Sequence, residues 1–202
     1  ELMELSPVKV ETGNYKAWFE PAAVSDFLSM FSWNGISEAS IQQGCSGFGK
    51  MRNDDVRLSS KFSISEDFSS GLVPKFNSDG EVSSNELKII SSGELKNTLI
   101  SSRTANEYNR TSNFAEAGEY LRSPFMEPGA LDQSDVLKEI DKGLYLSNIH
   151  YLNWSDNPNG RITGLTRYAC FWVENGEIVG PINTMRFDDS FYNYFGDNLL
   201  QV

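Results

Sequence analysis

Apolar residues recur along this chain in two rhythms, one helical and one extended. Between Ala22 and Asn34, Val24, Phe27, Leu28 and Phe31 fall at i, i+3, i+4 and i+7, the spacing that lines one face of a helix. Glu20-Pro21 precedes this run, with proline suited to the first helical turn, and Trp33-Asn34-Gly35 closes it. Just upstream, the aromatic run Tyr15–Phe19 predicts a strand. Residues 56–66 alternate loosely through Val56, Leu58, Phe62 and Ile64, which predicts another. Leu87–Ile90, the turn Ser91-Ser92-Gly93 and Leu95–Ile100 predict a hairpin. A short helix is expected from Arg103 to Tyr108, and Ser134 reads as the N-cap of a helix over Asp135–Lys142 that Gly143 ends.

After Gly143 the extended rhythm takes over. Leu144–Leu152 and Thr166–Val173 read as strands around the turn Asp156-Asn157-Pro158-Asn159-Gly160. Asn175-Gly176 is a strong hairpin signal, with Ile178-Val179 beginning the return. Residues 67–86 and 109–117 are polar connections, and the glycines of Gly44–Lys50 predict a loop, since the spacing is not that of a phosphate-binding GxxxxGK[ST]. Strands mostly neighbour strands in sequence, with few helices between them. The expected class is therefore α+β: a mostly antiparallel sheet with long hairpins and a few packed helices, folded as one domain over residues 1–202.

Composition narrows the partners. The chain has 202 residues, 39% of them hydrophobic, and a formal net charge of −11. Such a charge repels phosphate backbones and anionic lipid, and the densest basic stretch, Lys50-Met51-Arg52, is followed at once by Asp54 and Asp55. Direct nucleic-acid binding is not expected. No apolar run approaches the roughly 20 residues that span a bilayer, so no membrane association is expected either. Cys45 and Cys170 belong to no CxxC and read as two reduced thiols of a cytoplasmic protein. The acidic start, without methionine, and the apolar end read as boundaries of a piece of a longer, two-domain protein.

Candidate chemistry is sparse. His150, the only histidine, lies in an apolar strand, and a metal site would need partners that the sequence does not group around it. No GxSxG marks a nucleophile elbow. The carboxylate pairs Asp54-Asp55, Glu66-Asp67 and Asp188-Asp189 are adjacent, so on a strand their side chains diverge and read as solvated charges. Arg167 and Arg186 interrupt apolar stretches; a buried guanidinium there requires a carboxylate, such as Asp188, Asp189 or Glu174, or a bound peptide carboxylate or carbonyl. Polar residues within apolar strands single out Asn148, His150, Arg167 and Arg186 as candidate substrate contacts. No catalytic or metal-ligating residue is expected in the chain itself.

The segment from Gly143 to Phe187 resembles the C-terminal part of the TldD/PmbA (TldE) family, once called modulators of DNA gyrase. The resemblance is carried by Gly143–Asn148, Thr163–Arg167, Phe171–Val179 and Pro181–Ser190, with weaker support from Ile89–Lys96 and Ser123–Gly129. It implies the C-terminal half of a subunit in a cytoplasmic protease system that degrades peptides or trims peptide precursors. In that family the TldD-type chain carries zinc through an HExxxH helix and a later cysteine, two imidazoles one turn apart converging on the metal. Here the matching run is Ser29-Met30-Phe31-Ser32-Trp33-Asn34, without His or Glu. The resemblance thus implies the PmbA/TldE type: no cofactor in this chain, zinc only in a TldD-like partner, pairing with that subunit or with itself as a dimer, and an extended peptide as substrate. The competing expectation is a non-proteolytic peptide-binding or regulatory module.

Overall fold

The computed structural model describes residues 1–202. In chain order the elements are β1 (Lys16–Phe19), α1 (Pro21–Phe31), α2 (Glu38–Gln42), α3 (Gly49–Asn53), β2 (Ile64–Asp67), β3 (Glu86–Ser91), β4 (Glu94–Leu95), α4 (Ser102–Tyr108), β5 (Pro124–Met126), α5 (Val136–Ile140), β6 (Gly143–Asp156), β7 (Arg161–Glu174), β8 (Glu177–Pro181), β9 (Arg186–Ser190) and α6 (Phe191–Tyr194). The class is α+β. No helix is long and apolar enough to cross a membrane. The chain packs as two compact units: Glu1–Phe27, Ala130–Asn153 and Thr163–Asp188 make the first, and Leu28–Gly129, Trp154–Ile162 and Asp189–Val202 the second.

The first unit is built on a sheet ordered β1-β6-β7-β8, with β9 also on β7. Its long strands close the way their sequences predict: Asn175 (φ 56°) and Gly176 (φ 73°) take the left-handed conformations that a two-residue β7–β8 turn requires. β1 was expected as a strand, but it joins in parallel, Lys16 opposite Gly143 and Phe19 opposite Leu146. Two apolar clusters pack on this sheet. One gathers Leu144, Leu146, Cys170, Trp172 and Ile182; the other gathers Val136, Ile140 and Val173. Gly164 is a close-approach position, where a Cβ would lie 2.5 Å from Phe187 Cζ and 2.9 Å from Leu152 Cδ2.

The second unit has short strands, ordered β4-β3-β2-β5, beside an aromatic core. Phe31 meets Phe48 and Phe191 edge-on at 5.3 and 5.5 Å, and Phe48 stacks on Phe191 at 4.8 Å. Its loops are braced by buried carboxylates. Glu38 (1% exposed) accepts from Thr98 Oγ1 at 2.5 Å and pairs with Arg52 at 3.1 Å and Arg110 at 3.3 Å. Glu66 accepts from the backbone N–H groups of Arg122 and Ser123 at 2.7 and 2.5 Å. Glu119 accepts from Ser37 Oγ, Ala39 N and Ser101 N at 2.6, 3.0 and 2.9 Å.

Several expectations need correction. The strand predicted over 56–66 is limited to Ile64–Asp67, because Leu58 spends its N–H on the Gly93 carbonyl of the β3–β4 turn rather than on a ladder. The return strand of that hairpin is only Glu94-Leu95; Lys96 and Asn97 both direct their N–H at Ile89, which ends the regular pairing. The loop predicted over Gly44–Lys50 ends at Phe48, since Gly49 and Lys50 already form the first turn of α3. Ser134 does not cap a helix: Asp132 accepts the Ser134 N–H at 2.8 Å and starts a single 3-10 turn ahead of α5. Glu66, expected as a solvated charge, is 3% exposed. Cys45 and Cys170 are both free thiols.

Candidate functional site

Most strand residues have φ near −120°, and a bulky side chain at positive φ is a sterically costly exception. β6 and β7 each contain one: Tyr151 has φ 51° and Tyr168 has φ 61°. Both rings stand in solvent, at 72% and 66% exposure, in strands whose neighbouring positions alternate into the core. Each tyrosine is paired with the polar residue before it. The His150 and Tyr151 rings lie 4.0 Å apart, and the Arg167 guanidinium sits 4.6 Å above the Tyr168 ring. Strain of this kind is found where a local irregularity re-aims side chains for use.

The structure brings three of the four predicted contacts to this place. Asn148, His150 and Arg167 are half-buried on the adjacent strands β6 and β7. Cys170 Sγ donates to the Asn148 carbonyl at 3.8 Å and to the Arg167 carbonyl at 3.1 Å, and Ser147 Oγ reaches both Asn148 Oδ1 (3.0 Å) and the Arg167 carbonyl (3.4 Å). Asp26 on α1 feels His150 electrostatically; burial lifts its carboxyl above the usual value of 3.8 against the pull of the imidazole. Strand β1 pairs with β6 only from Gly143 to Leu146, so beyond Leu146 the strand pairing of β6 is with β7 alone.

Arg186 is elsewhere, at the start of β9. It was expected to be buried and is not: its side chain is 68% exposed, held by Thr163 Oγ1 at 3.2 Å and by Asp188 at 3.6 Å. The Asp188 partner anticipated for a structural arginine is the one found. Sequence reasoning missed the two tyrosines. Aromatic residues are ordinary in strands, and only the backbone torsion separates these two from the rest.

The donors present do not fit the zinc that the resemblance implies for TldD-type chains. Met30 is fully buried, Ser29 faces solvent, and Asn34 leaves the helix at φ 59°. No three His, Cys, Asp or Glu side chains converge anywhere in the structure. Zinc prefers nitrogen and thiolate donors in a closed set, and the end of α1 supplies a hydroxyl, a thioether and an amide instead.

No curated protein matches the chain in sequence. Solved structures do match in fold. A protein from Thermotoga maritima described as a modulator of a DNA gyrase superposes with a TM-score of 0.82 at 20% identity, covering 97% of this chain and 46% of that one. A Bacteroides thetaiotaomicron protein described in the same way gives 0.80 at 18% identity, covering 96% and 43%. TldE from Thermococcus kodakarensis gives 0.69 at 16% identity, covering 91% and 45%. This chain therefore spans less than half the length of each, and at such identities the likeness is one of fold. Residues 12–202 match the PmbA/TldA metallopeptidase C-terminal domain as a family. By that match, over nearly its whole length, the chain belongs to the PmbA/TldA metallopeptidase C-terminal domain family.

Proposed function

We propose that the chain is the C-terminal domain of a TldE/PmbA-like subunit in a cytoplasmic metalloprotease system that degrades or trims peptides, and that it is the subunit without zinc. The observation that carries this reading is the end of α1, where Ser29, Met30 and Asn34 stand in place of metal donors within an otherwise family-typical domain. In this reading a TldD-like partner holds the zinc and performs hydrolysis, and this subunit helps to enclose the extended peptide. The paired Tyr151 and Tyr168 would contact it: exposed rings offer area at little entropic cost, and the strand edge beside them offers backbone groups for an added strand. Asn148, His150 and Arg167 would supply polar contacts there, and Arg186 a further one from β9.

The test is co-expression of the full-length protein with a TldD-like subunit, followed by pulldown and degradation of an unstructured peptide. A co-purifying pair that cleaves the peptide is expected, with cleavage abolished when the partner's zinc ligands are replaced. Absence of a complex, with the peptide left intact, would overturn the reading. So would stoichiometric zinc in this subunit alone. Peptide capture without cleavage by a stable pair would instead favour a non-proteolytic binding module.

A further inference from the structure

Buried donors are nearly always matched by acceptors, and one in the second unit is not. The Arg122 side chain is 8% exposed, yet its buried Nε has no hydrogen-bond partner in the protein. The rest of the guanidinium is engaged. Nη1 donates to the Phe76 carbonyl at 2.7 Å and the Pro74 carbonyl at 3.4 Å, and Nη2 donates to Ser83 Oγ at 3.0 Å. The group also lies 4.7 Å above the Phe68 ring. Arg122 thereby pins the loop between β2 and β3 from inside.

Arg122 also lines a cavity of about 10 Å³, counted as the space open to the centre of a water-sized sphere, with Phe68, Leu99 and Ala115 among its apolar walls. One water molecule needs about 10–15 Å³ by that measure. Glu66, on β2, lines the same cavity and is 3% exposed. Its Oε1 accepts from the backbone N–H groups of Arg122 and Ser123. Burial raises the Glu66 carboxyl, and the Arg122 charge acts on it in the opposite sense. The two side chains form no direct ion pair; the carboxylate that Arg122 meets is Glu116, at 3.8 Å. Opposite charges that sense each other across a small cavity without touching are the setting for a bridging water.

The remaining polar lining fixes what the bridge must be. Ser83 and Ser84 spend their hydroxyl protons on the Phe114 and Glu86 carbonyls at 3.1 and 2.7 Å, and so present acceptors to the cavity. Asn113 is engaged at both ends, by the Ile100 N–H at 2.9 Å and the Thr98 carbonyl at 2.7 Å. The cavity thus offers one open donor, Arg122 Nε, and acceptors on Glu66 and the serines. An anion would face the Glu66 carboxyl group, a cation would face the guanidinium, and an apolar atom would leave Nε unpaired. Water alone among small species accepts one hydrogen bond and donates two. We propose that this cavity binds one water molecule, which accepts from Arg122 Nε and donates to the Glu66 carboxyl group and to a serine hydroxyl. The bridge fastens the β2–β3 loop to β2 through the same side chain that already holds the loop. It depends on no partner subunit and no peptide, so it stands apart from the functional reading above.

The test is a high-resolution crystal structure of the full chain, with one crystal soaked in bromide and another pressurised with xenon. The expected result is a single density peak at hydrogen-bonding distance, about 2.7–3.2 Å, from both Arg122 Nε and a Glu66 carboxyl oxygen. Neither bromide nor xenon should give an anomalous signal there. A bromide peak at that position would make it an anion site, and a xenon peak would make it a dry apolar void; either overturns the proposal, as does featureless density. Arg122→Lys keeps the charge but lacks Nε, and the peak should be lost in it. Glu66→Gln keeps an acceptor oxygen, and the peak should remain. A peak that persists unmoved in Arg122→Lys would overturn the role given to Nε. The wild-type density decides the matter even if Arg122→Lys fails to fold.

Discussion

The two units reach a buried interior by opposite means. The first relies on long strands whose apolar residues alternate into clusters around Leu144, Leu146 and Trp172. Its charged pairs, such as Lys142 with Glu174 at 2.9 Å, stay at the surface. The second has strands of two to six residues, too short to organise the loops between them. Three buried carboxylates, Glu38, Glu66 and Glu119, do that organising by collecting backbone N–H groups, hydroxyls and guanidinium groups that would otherwise be orphaned. Where periodicity is long, hydrophobic burial positions the chain; where it is short, a charge buried among donors takes over.

Matched truncations give the largest test of this contrast. Leu146→Ala in the first unit should cost about 2–5 kcal/mol through lost burial and the cavity left behind. Glu119→Ala in the second should cost about 3 kcal/mol by stranding donors of Ser37, Ala39 and Ser101, as measured by urea denaturation. A loss below about 1 kcal/mol for Glu119→Ala would mean that the loops are held by something else.

The pH dependence should separate two of the braces. Burial pushes the Glu38 carboxyl up, but hydrogen bonds from Thr98, Gln42 and Arg52 and the charge of Arg52 outweigh it and leave the group below 4.5. Its contribution is therefore present above pH 4.5 and lost as pH falls through the depressed folded value. Burial dominates at Glu66, raising it above 4.5 despite the N–H groups of Arg122 and Ser123. The folded state then binds that proton more tightly than the unfolded chain, and acidification toward 4.5 stabilises it. Denaturant melts across pH should show a weakly acidic maximum. Glu66→Gln should remove its neutral-side slope, and Glu38→Gln should blunt its acid-side fall.

Smaller effects are expected in the first unit. Tyr168→Gly should hold or raise stability by up to about 1 kcal/mol, because glycine accepts the left-handed backbone that tyrosine resists. Tyr168→Val should lose about 1–2 kcal/mol at the same position. Both should weaken peptide capture by the assembled protein, which separates a strained functional residue from a structural one. The smallest change is expected for Glu174→Ala, with no resolvable shift in the urea midpoint, since its pair with Lys142 is solvent-exposed and screened. A larger loss would show that surface charge carries more of this unit than the contrast allows.

The same contrast explains what was legible in the sequence. Pro21 at the start of α1, the i, i+3, i+4 spacing of Val24, Phe27 and Leu28, and the Asn175-Gly176 turn are local signals, and each element formed where its signal stood. Val56, Leu58 and Phe62 produced a false strand because their alternation was real but their N–H groups go to Lys50 of α3, to Gly93 of the β3–β4 turn and to Ser59 in a local turn, not to a strand. Glu66 and Asp67 look alike in sequence; only the fold puts one inside, bonded to residues 56 and 57 positions further on. At the candidate site, polarity within an apolar strand flagged His150 and Arg167. Tyr151 and Tyr168 left no mark, because left-handed backbone is imposed by the surrounding ladder rather than by the residue.

The parallel pairing of β1 with β6 also sets a timetable. Lys16 meets Gly143, so β1 leaves the ribosome 127 residues (143 − 16) ahead of the strand it must join. At synthesis rates of about 5–20 residues per second, that is a wait of roughly 6–25 s. Ala17, Trp18 and Phe19 spend this interval without their eventual strand partner, while Leu28–Gly129, most of the second unit, is already emerging. The nascent chain thus carries an aromatic segment that waits seconds for its pairing strand, and the first unit can close only after most of the second has been made.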